Sequence, residues 1–236
     1  MDRQPYTICV LCYGDFFELH KRCIHSILFH TQPEGYELRI GLNNVGKETY
    51  DYVMGPVQKV LGEQLVVFNS EKNIKKYPMM RKMFHSEDAP IKSPWVIWFD
   101  DDSYVESTEW IQDLEKKILR EPGAMFGKKY FIHLDGNQPK WMEEARWYRG
   151  RPIQMDTKKG RLKVDFITGG WWAMPRHWIA NLDWPDPRIL HNGGDVALGE
   201  ALRQNNGMLI NHYSGIQIDK ADRRGYSEKP AGYHEA

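Results

Sequence analysis

Residues 95–99, Trp-Val-Ile-Trp-Phe, run without a break into three carboxylates, Asp100, Asp101 and Asp102. Five large apolar residues in succession are a buried-strand signal. A buried strand that ends in three adjacent like charges must end where water or a cation can answer them. Around this strand, apolar runs at 6–12, 36–42 and 64–68 alternate with segments of helical period at 17–29, 48–61 and 107–120. Gly55-Pro56 predicts a kink in the second of these helices, and Ser107 or Thr108 is the expected N-cap of the third. A basic segment, 71–82, leads into a further helix ending near His85. Strand–helix alternation predicts an α/β chain with a parallel sheet, and ligands of such sheets bind beyond the carboxyl ends of the strands. Tyr13-Gly14-Asp15, Asn43-Asn44 and Asp100–Asp102 all fall at such ends.

The second half is less regular. Residues 124–134 read as a strand, and 164–174 as two apolar runs around Gly169-Gly170. Residues 194–205 read as a helix, and 207–211 as a last strand ending at His212. The polar stretch 214–236 reads as a lid or flexible tail.

Each polar feature has a chemical and a plain reading. On an extended strand Asp100 and Asp102 share a face and Asp101 takes the other. Hard oxygens so placed suit Mg²⁺ or Mn²⁺, although an acidic turn capping the next helix is the simpler alternative. Asp195 is a base or a helix N-cap, and His212 a ligand or a surface histidine. The glycine pair allows close backbone approach to a ligand or makes a tight turn. Trp171 and Trp172 should point to opposite faces, one into the core and one as a wall of an acceptor site.

Charge and cysteine content narrow the classes. Lys+Arg and Asp+Glu both number 32, which excludes a uniformly basic nucleic-acid coat and an acidic disordered chain. The balance is uneven along the chain: 1–139 carries 17 basic and 20 acidic residues, 140–163 carries 8 and 3, and 164–236 carries 7 and 9. The basic stretch interleaves Trp141, Trp147 and Tyr148, a composition suited to a phosphate-bearing partner. No apolar run approaches the ~18 residues of a membrane span, and residues 1–15 lack the basic start and cleavage site of a leader. Cys9 and Cys12 form a CxxC without a second pair, so with Cys23 they read as core thiols in a reducing, cytoplasmic setting.

The ordered set WVIWFDDDSYV, FITGGWWAMPR, GGDVALGEALR and His212 after a strand resembles the GT-A fold glycosyltransferases. YTICVLCYGDFFELHKRCIHSIL is similar to the opening of the family 2 members, and the central motifs are similar to fringe-like enzymes. The resemblance spans about residues 6–213. It implies an α/β, Rossmann-like, mostly parallel central sheet flanked by helices, in a single catalytic domain over 1–236. Residues 1–106 would form the nucleotide-sugar half, 107–213 the acceptor and catalytic half, and 214–236 the tail.

By the same resemblance Asp102 ligates Mn²⁺ or Mg²⁺, Asp100 holds ribose or the metal, and His212 completes the metal site. Asp101, Tyr13, Asp15, Asn43, Lys75 and Arg81 line the nucleotide, with Lys76 in the same basic segment. Asp195 is the general base, and Gly169, Gly170, Trp171 and Trp172 face the acceptor. Two departures stand out: Asn43-Asn44 replaces the family's base-binding Asp, and Tyr13-Gly14-Asp15 replaces Tyr-Asn. The implied reaction is metal-dependent, inverting transfer from a nucleotide-diphosphate sugar, a UDP-sugar, to a hydroxyl. The acceptor is a saccharide or a hydroxymethylated base in DNA, the latter reached through 140–163. The competing classes are a nucleotidyltransferase, whose Gly-rich Lys/Arg signature residues 6–20 lack, and a non-catalytic sugar- or nucleic-acid-binding module.

Overall fold

A computed structural model describes residues 5–32, 35–218 and 233–235. In chain order the strands are β1 (Tyr6–Gly14), β2 (Tyr36–Val45), β3 (Leu65–Ser70), β4 (Trp95–Asp100), β5 (Tyr104–Val105), β6 (Ala124–His133), β7 (Met155–Asp156), β8 (Arg161–Pro175), β9 (Met208–Asn211), β10 (Ile216–Gln217) and β11 (Tyr233–Glu235). The helices are α1 (Phe17–His30), α2 (Lys47–Tyr52), α3 (Gln58–Leu61), α4 (Lys76–Phe84), α5 (Trp110–Arg120), α6 (Gln138–Glu143), α7 (Arg176–Asn181) and α8 (Gly194–Gln204). Nine strands make one sheet with the path β11-β6-β8-β4-β1-β2-β3, β7 pairing β8 and β9 pairing β6. β4, β1, β2 and β3 are parallel, and β8 runs antiparallel between β4 and β6.

Alternation along the buried strands divides the core in two. Ile8, Val10 and Cys12 of β1 face α1, α2, α3 and α5, where they meet Ile24, Val53, Leu61 and Trp110. Cys9 and Leu11 face the other way, toward Met79 and Met83 of α4 and Leu198 of α8. Cys9 and Cys12 are therefore on opposite faces, and all three cysteines are buried free thiols, as expected of core residues. Burial pushes the Cys9 thiol up to about 12.

Local differences from the sequence reading have local causes. The 48–61 helix is kinked as expected: Pro56 cannot donate to the helical ladder, and Val53–Val57 widen into one π turn between α2 and α3. α5 begins at Trp110 rather than near 107; the Ser107 hydroxyl accepts from Glu109 N–H in the preceding turn, and no side chain caps the helix. Gly169-Gly170 make no tight turn, because β8 passes through them as one 15-residue strand. Part of the expected tail is sheet: Ile216–Gln217 pairs with β5, and Tyr233–Glu235 with β6. The remainder of the expected tail, 219–232 and 236, lies outside the described residues.

Candidate active site

The carboxyl ends of β1 and β4, the start of α4, the middle of β8 and the start of α8 converge on one edge of the sheet. β4 ends at Asp100, and Ser103 N–H closes a turn on the Asp100 carbonyl at 3.0 Å. Strand alternation therefore stops one residue into the acidic run, and each carboxylate has its own surroundings. Asp100 Oδ1 accepts from Trp98 Nε1 at 2.9 Å, and Oδ2 from Lys76 Nζ at 2.6 Å. Asp101 turns to the α1 side, where Oδ2 accepts from Tyr13 N–H at 3.3 Å and stands 3.0 Å from His20 Nε2. His20 Nδ1 meets Thr49 Oγ1 at 2.7 Å, and His20 and Thr49 are both fully buried. Asp102 is buried on the turn itself.

Lys76 sits at the centre of this edge. Nζ also donates to the Gly169 carbonyl at 3.0 Å. β8 advances five residues, Ile167 to Trp172, while β6 advances two, Gly127 to Lys129. This bulge presents the Gly169 carbonyl, and a Cβ at 169 would lie 2.9 Å from Nζ and 3.9 Å from Asp195 Oδ2. The glycine leaves the ammonium room against the backbone, with Asp195 in van der Waals range of the same position. Asp195 lies in the first turn of α8, after Gly193 as N-cap, and its Oδ1 accepts from Val196 N–H at 3.0 Å. Burial raises its carboxyl above the ordinary aspartate range, opposed chiefly by the Lys76 charge. Lys76, Tyr77, Trp172, Trp184 and Asp195 line a small cavity there.

Several expected site residues lie elsewhere or do other work. Lys75 is exposed, at a φ of 76°, outside the start of α4. Arg81 holds the 183–185 loop, through the carbonyls of Asp183 and Pro185 and the Asp183 carboxylate. Asn43 is buried and pins the loop after β3: its oxygen accepts from Ile74 N–H at 2.9 Å and its amide donates to Asn73 Oδ1. Tyr13 contributes its backbone N–H to Asp101, and Asp15 is exposed beside Gly46. Trp171 and Trp172 do point to opposite faces, but both are buried, one in each core, so neither forms an open acceptor wall. Gly170 is buried next to them.

His212 does not join Asp100 and Asp102. β9 pairs with the far side of β6, so β6 and β8 stand between it and β4, about 14 Å across at the usual strand spacing. Its ring packs edge-on against Phe126, and burial, with Lys117 nearby, holds its pKa below the ordinary value. Among the described residues no three His, Cys, Asp or Glu side chains are grouped to hold a metal. The turn is nonetheless strongly electronegative: the buried Cys23 thiol is pushed up first by burial and then by Asp101, Asp102 and Asp100 together. Hard carboxylate oxygens in such a field suit a divalent cation that takes its other ligands from a phosphate-bearing substrate, and Asp100 would join Asp102 on it in place of the present Lys76 contact.

No family model and no curated protein matches the sequence. Solved structures do match the fold. Mannosyltransferase PcManGT from Pyrobaculum calidifontis, in complex with GDP-Man and Mn²⁺, superposes with a TM-score of 0.64 at 12% identity, covering 94% of this chain and 58% of that one. GalNAc-T7 with UDP, GalNAc and Mn²⁺ gives 0.62 at 13%, covering 87% and 41%. S. aureus TarS 1-349 with UDP-GlcNAc gives 0.56 at 14%, covering 89% and 57%.

The chain has the GT-A glycosyltransferase fold.

It spans about half the length of the structures it matches. Ligands of open α/β sheets bind beyond the carboxyl ends of the parallel strands, which here is the edge holding Asp100–Asp102. Of Lys75, Lys76 and Arg81, the three basic residues to which the resemblance in sequence points, Lys76 is the one bonded to Asp100 at that edge. A signal for Lys76 exists: Lys76, Met80 and Met83 fall at i, i+4 and i+7, so Lys76 is the cation on the apolar stripe of α4.

Proposed function

We propose that this chain is a metal-assisted glycosyltransferase that moves a sugar from a nucleotide-diphosphate donor, a UDP-sugar, to an acceptor hydroxyl with inversion. The observation that carries the reading is Asp195. A carboxyl group raised by burial, beside a lysine–aspartate pair at the ligand edge of a GT-A fold, suits a general base. Asp102 and Asp100 would hold Mn²⁺ or Mg²⁺, which when bound supplies Lewis-acid stabilisation of the departing diphosphate. Asp195 takes the acceptor hydroxyl proton as its oxygen attacks the anomeric carbon. The Lys76 charge opposes the rise that burial imposes on that carboxyl, and its bond to the Gly169 carbonyl ties α4 to β8 at the site. Tyr13 N–H and His20 hold Asp101 and so the shape of the acidic turn. The acceptor is a hydroxyl on a saccharide or on a modified base in DNA. No helix among the described residues is long and apolar enough to cross a membrane.

The test is a thermal-shift panel of UDP- and GDP-sugars with Mn²⁺, followed by release of nucleoside diphosphate without acceptor. One donor should raise the melting temperature by mass action. Its Mn²⁺-dependent hydrolysis should vanish in Asp102→Ala. Full hydrolysis in EDTA, or in Asp102→Ala, overturns the metal assignment.

A further inference from the structure

β6 beyond Gly127 and β8 before Ile167 form a hairpin arm standing past the carboxyl edge of the parallel strands, with α8 packed along it. Gly199 makes that packing close: a Cβ there would lie 2.3 Å from the Asp165 carbonyl oxygen. α8 starts at the site, with Asp195, and its other end grips the loop 147–152. Gln204, 1% exposed, accepts from both Arg149 N–H and Arg151 N–H at 3.1 Å and donates to the Arg151 carbonyl at 2.7 Å. Glu200, fully buried, accepts from Gln204 Nε2 at 2.7 Å, and Asn205 donates to the Trp147 carbonyl at 2.9 Å. A fixed polar anchor thus presents two exposed arginines at the end of α8 away from Asp195.

The arm is positively charged. Residues 128–135, 149–165 and 200–206 hold nine basic and four acidic residues, which leaves 23 basic and 28 acidic in the rest of the chain. Lys129 and Lys163 share Asp165, Arg161 pairs with Asp135, and Arg203 with Glu200. Arg149, Lys158 and Lys159 are exposed and form no ion pair among the described residues, and the Arg151 guanidinium bonds only Asn206 and a carbonyl. Nine residues of helix put Gln204 about 14 Å from Asp195. Eight residues of strand put Arg161 about 26 Å from Gly169. The cations therefore begin beyond the reach of one sugar acceptor and continue for a distance that a regularly charged polymer would follow.

We propose that this arm docks the phosphate backbone of double-stranded DNA and delivers the acceptor to Asp195. The inference rests on the transferase reading only in calling the DNA an acceptor. Duplex is favoured over single strand because single-strand sites need open aromatic faces. Here Trp147 is 2% exposed, and the Trp141 face is covered by the Arg188 guanidinium at 4.0 Å.

The test is fluorescence anisotropy of the full chain with a labelled 20-base-pair duplex over a salt series, with a single strand and a neutral glucan as competitors. Log affinity should fall linearly with log salt, and the slope should drop by about 0.9 for each phosphate no longer neutralised. Arg149→Gln/Arg151→Gln and Lys158→Gln/Lys159→Gln should each flatten it. The second pair lies in an exposed turn, so it reads charge without risk to folding. No duplex binding at low salt, unchanged slopes in both double variants, or displacement by the neutral glucan overturns the inference. Donor thermal shift is read separately on the wild-type chain. DNA binding without any donor shift would sink the transferase reading and leave the docking surface standing.

Discussion

Lys76→Met deletes one ammonium from the centre of the site and keeps the aliphatic stem. In the native chain Nζ lies 2.6 Å from Asp100 Oδ2 and 3.0 Å from the Gly169 carbonyl, with the lysine 14% and the aspartate 17% exposed. Removing one partner of a fully buried pair costs about 3–5 kcal/mol. Water reaches both groups here, and Trp98 still donates to Asp100 Oδ1, so about 2–3 kcal/mol is expected. At 2–4 °C per kcal/mol for a chain of this size, that is roughly 4–12 °C in melting temperature. If the cost comes from the orphaned carboxylate, it should shrink in an Asp100→Asn background. Chemical denaturation of the two single variants and the double variant closes the cycle, with an expected coupling of about 1.5–2.5 kcal/mol. The same substitution removes the cation that opposes the raised Asp195 carboxyl. The acid limb of the pH–rate profile should therefore move to higher pH, and Lys76→Arg should restore part of it. A Lys76→Met chain melting within about 2 °C of wild type, with no coupling to Asp100, would refute the argument.

Asp195→Asn should lower sugar transfer by about 10²–10⁴-fold while the donor still raises the melting temperature, as expected for loss of a general base. Gly199→Ala places a methyl 2.3 Å from the Asp165 carbonyl oxygen and 2.8 Å from Phe166 Cα. α8 must then lift from β8, and urea denaturation should show a loss of about 1–3 kcal/mol. The depressed His212 favours the neutral ring in the folded chain. Its contribution is complete above the ordinary value of 6.5 and is lost as pH falls through the lower folded value. The urea midpoint of wild type should therefore fall relative to His212→Gln on acidification across that window, and parallel curves would exclude it.

Much of the scaffold was legible because its signals are local. Runs of five to seven apolar residues and 3.6-residue spacing name β1–β4, α1 and α8 without reference to neighbours, and Pro56 marks its own kink. The acidic run at the end of β4 was legible for the same reason, since a buried strand cannot contain it. What periodicity does not carry is the order of strands in the sheet. That order puts β6 and β8 between His212 and the aspartates, although His212 follows a strand end as a metal ligand would. Nor does it carry where a strand stops: one turn at Asp100 sends Asp100 to Lys76 and Asp101 to His20, where strand alternation would pair Asp100 with Asp102. Burial of both Trp171 and Trp172 likewise depends on two covered faces, which one strand cannot announce. Side-chain chemistry and spacing determined the fold class and the edge where a ligand belongs. The choice of Lys76 over Lys75 and Arg81, the Gly169 bulge and the raised carboxyl of Asp195 were decided only when distant segments packed together, because desolvation and charge pairing depend on neighbours in space rather than in sequence.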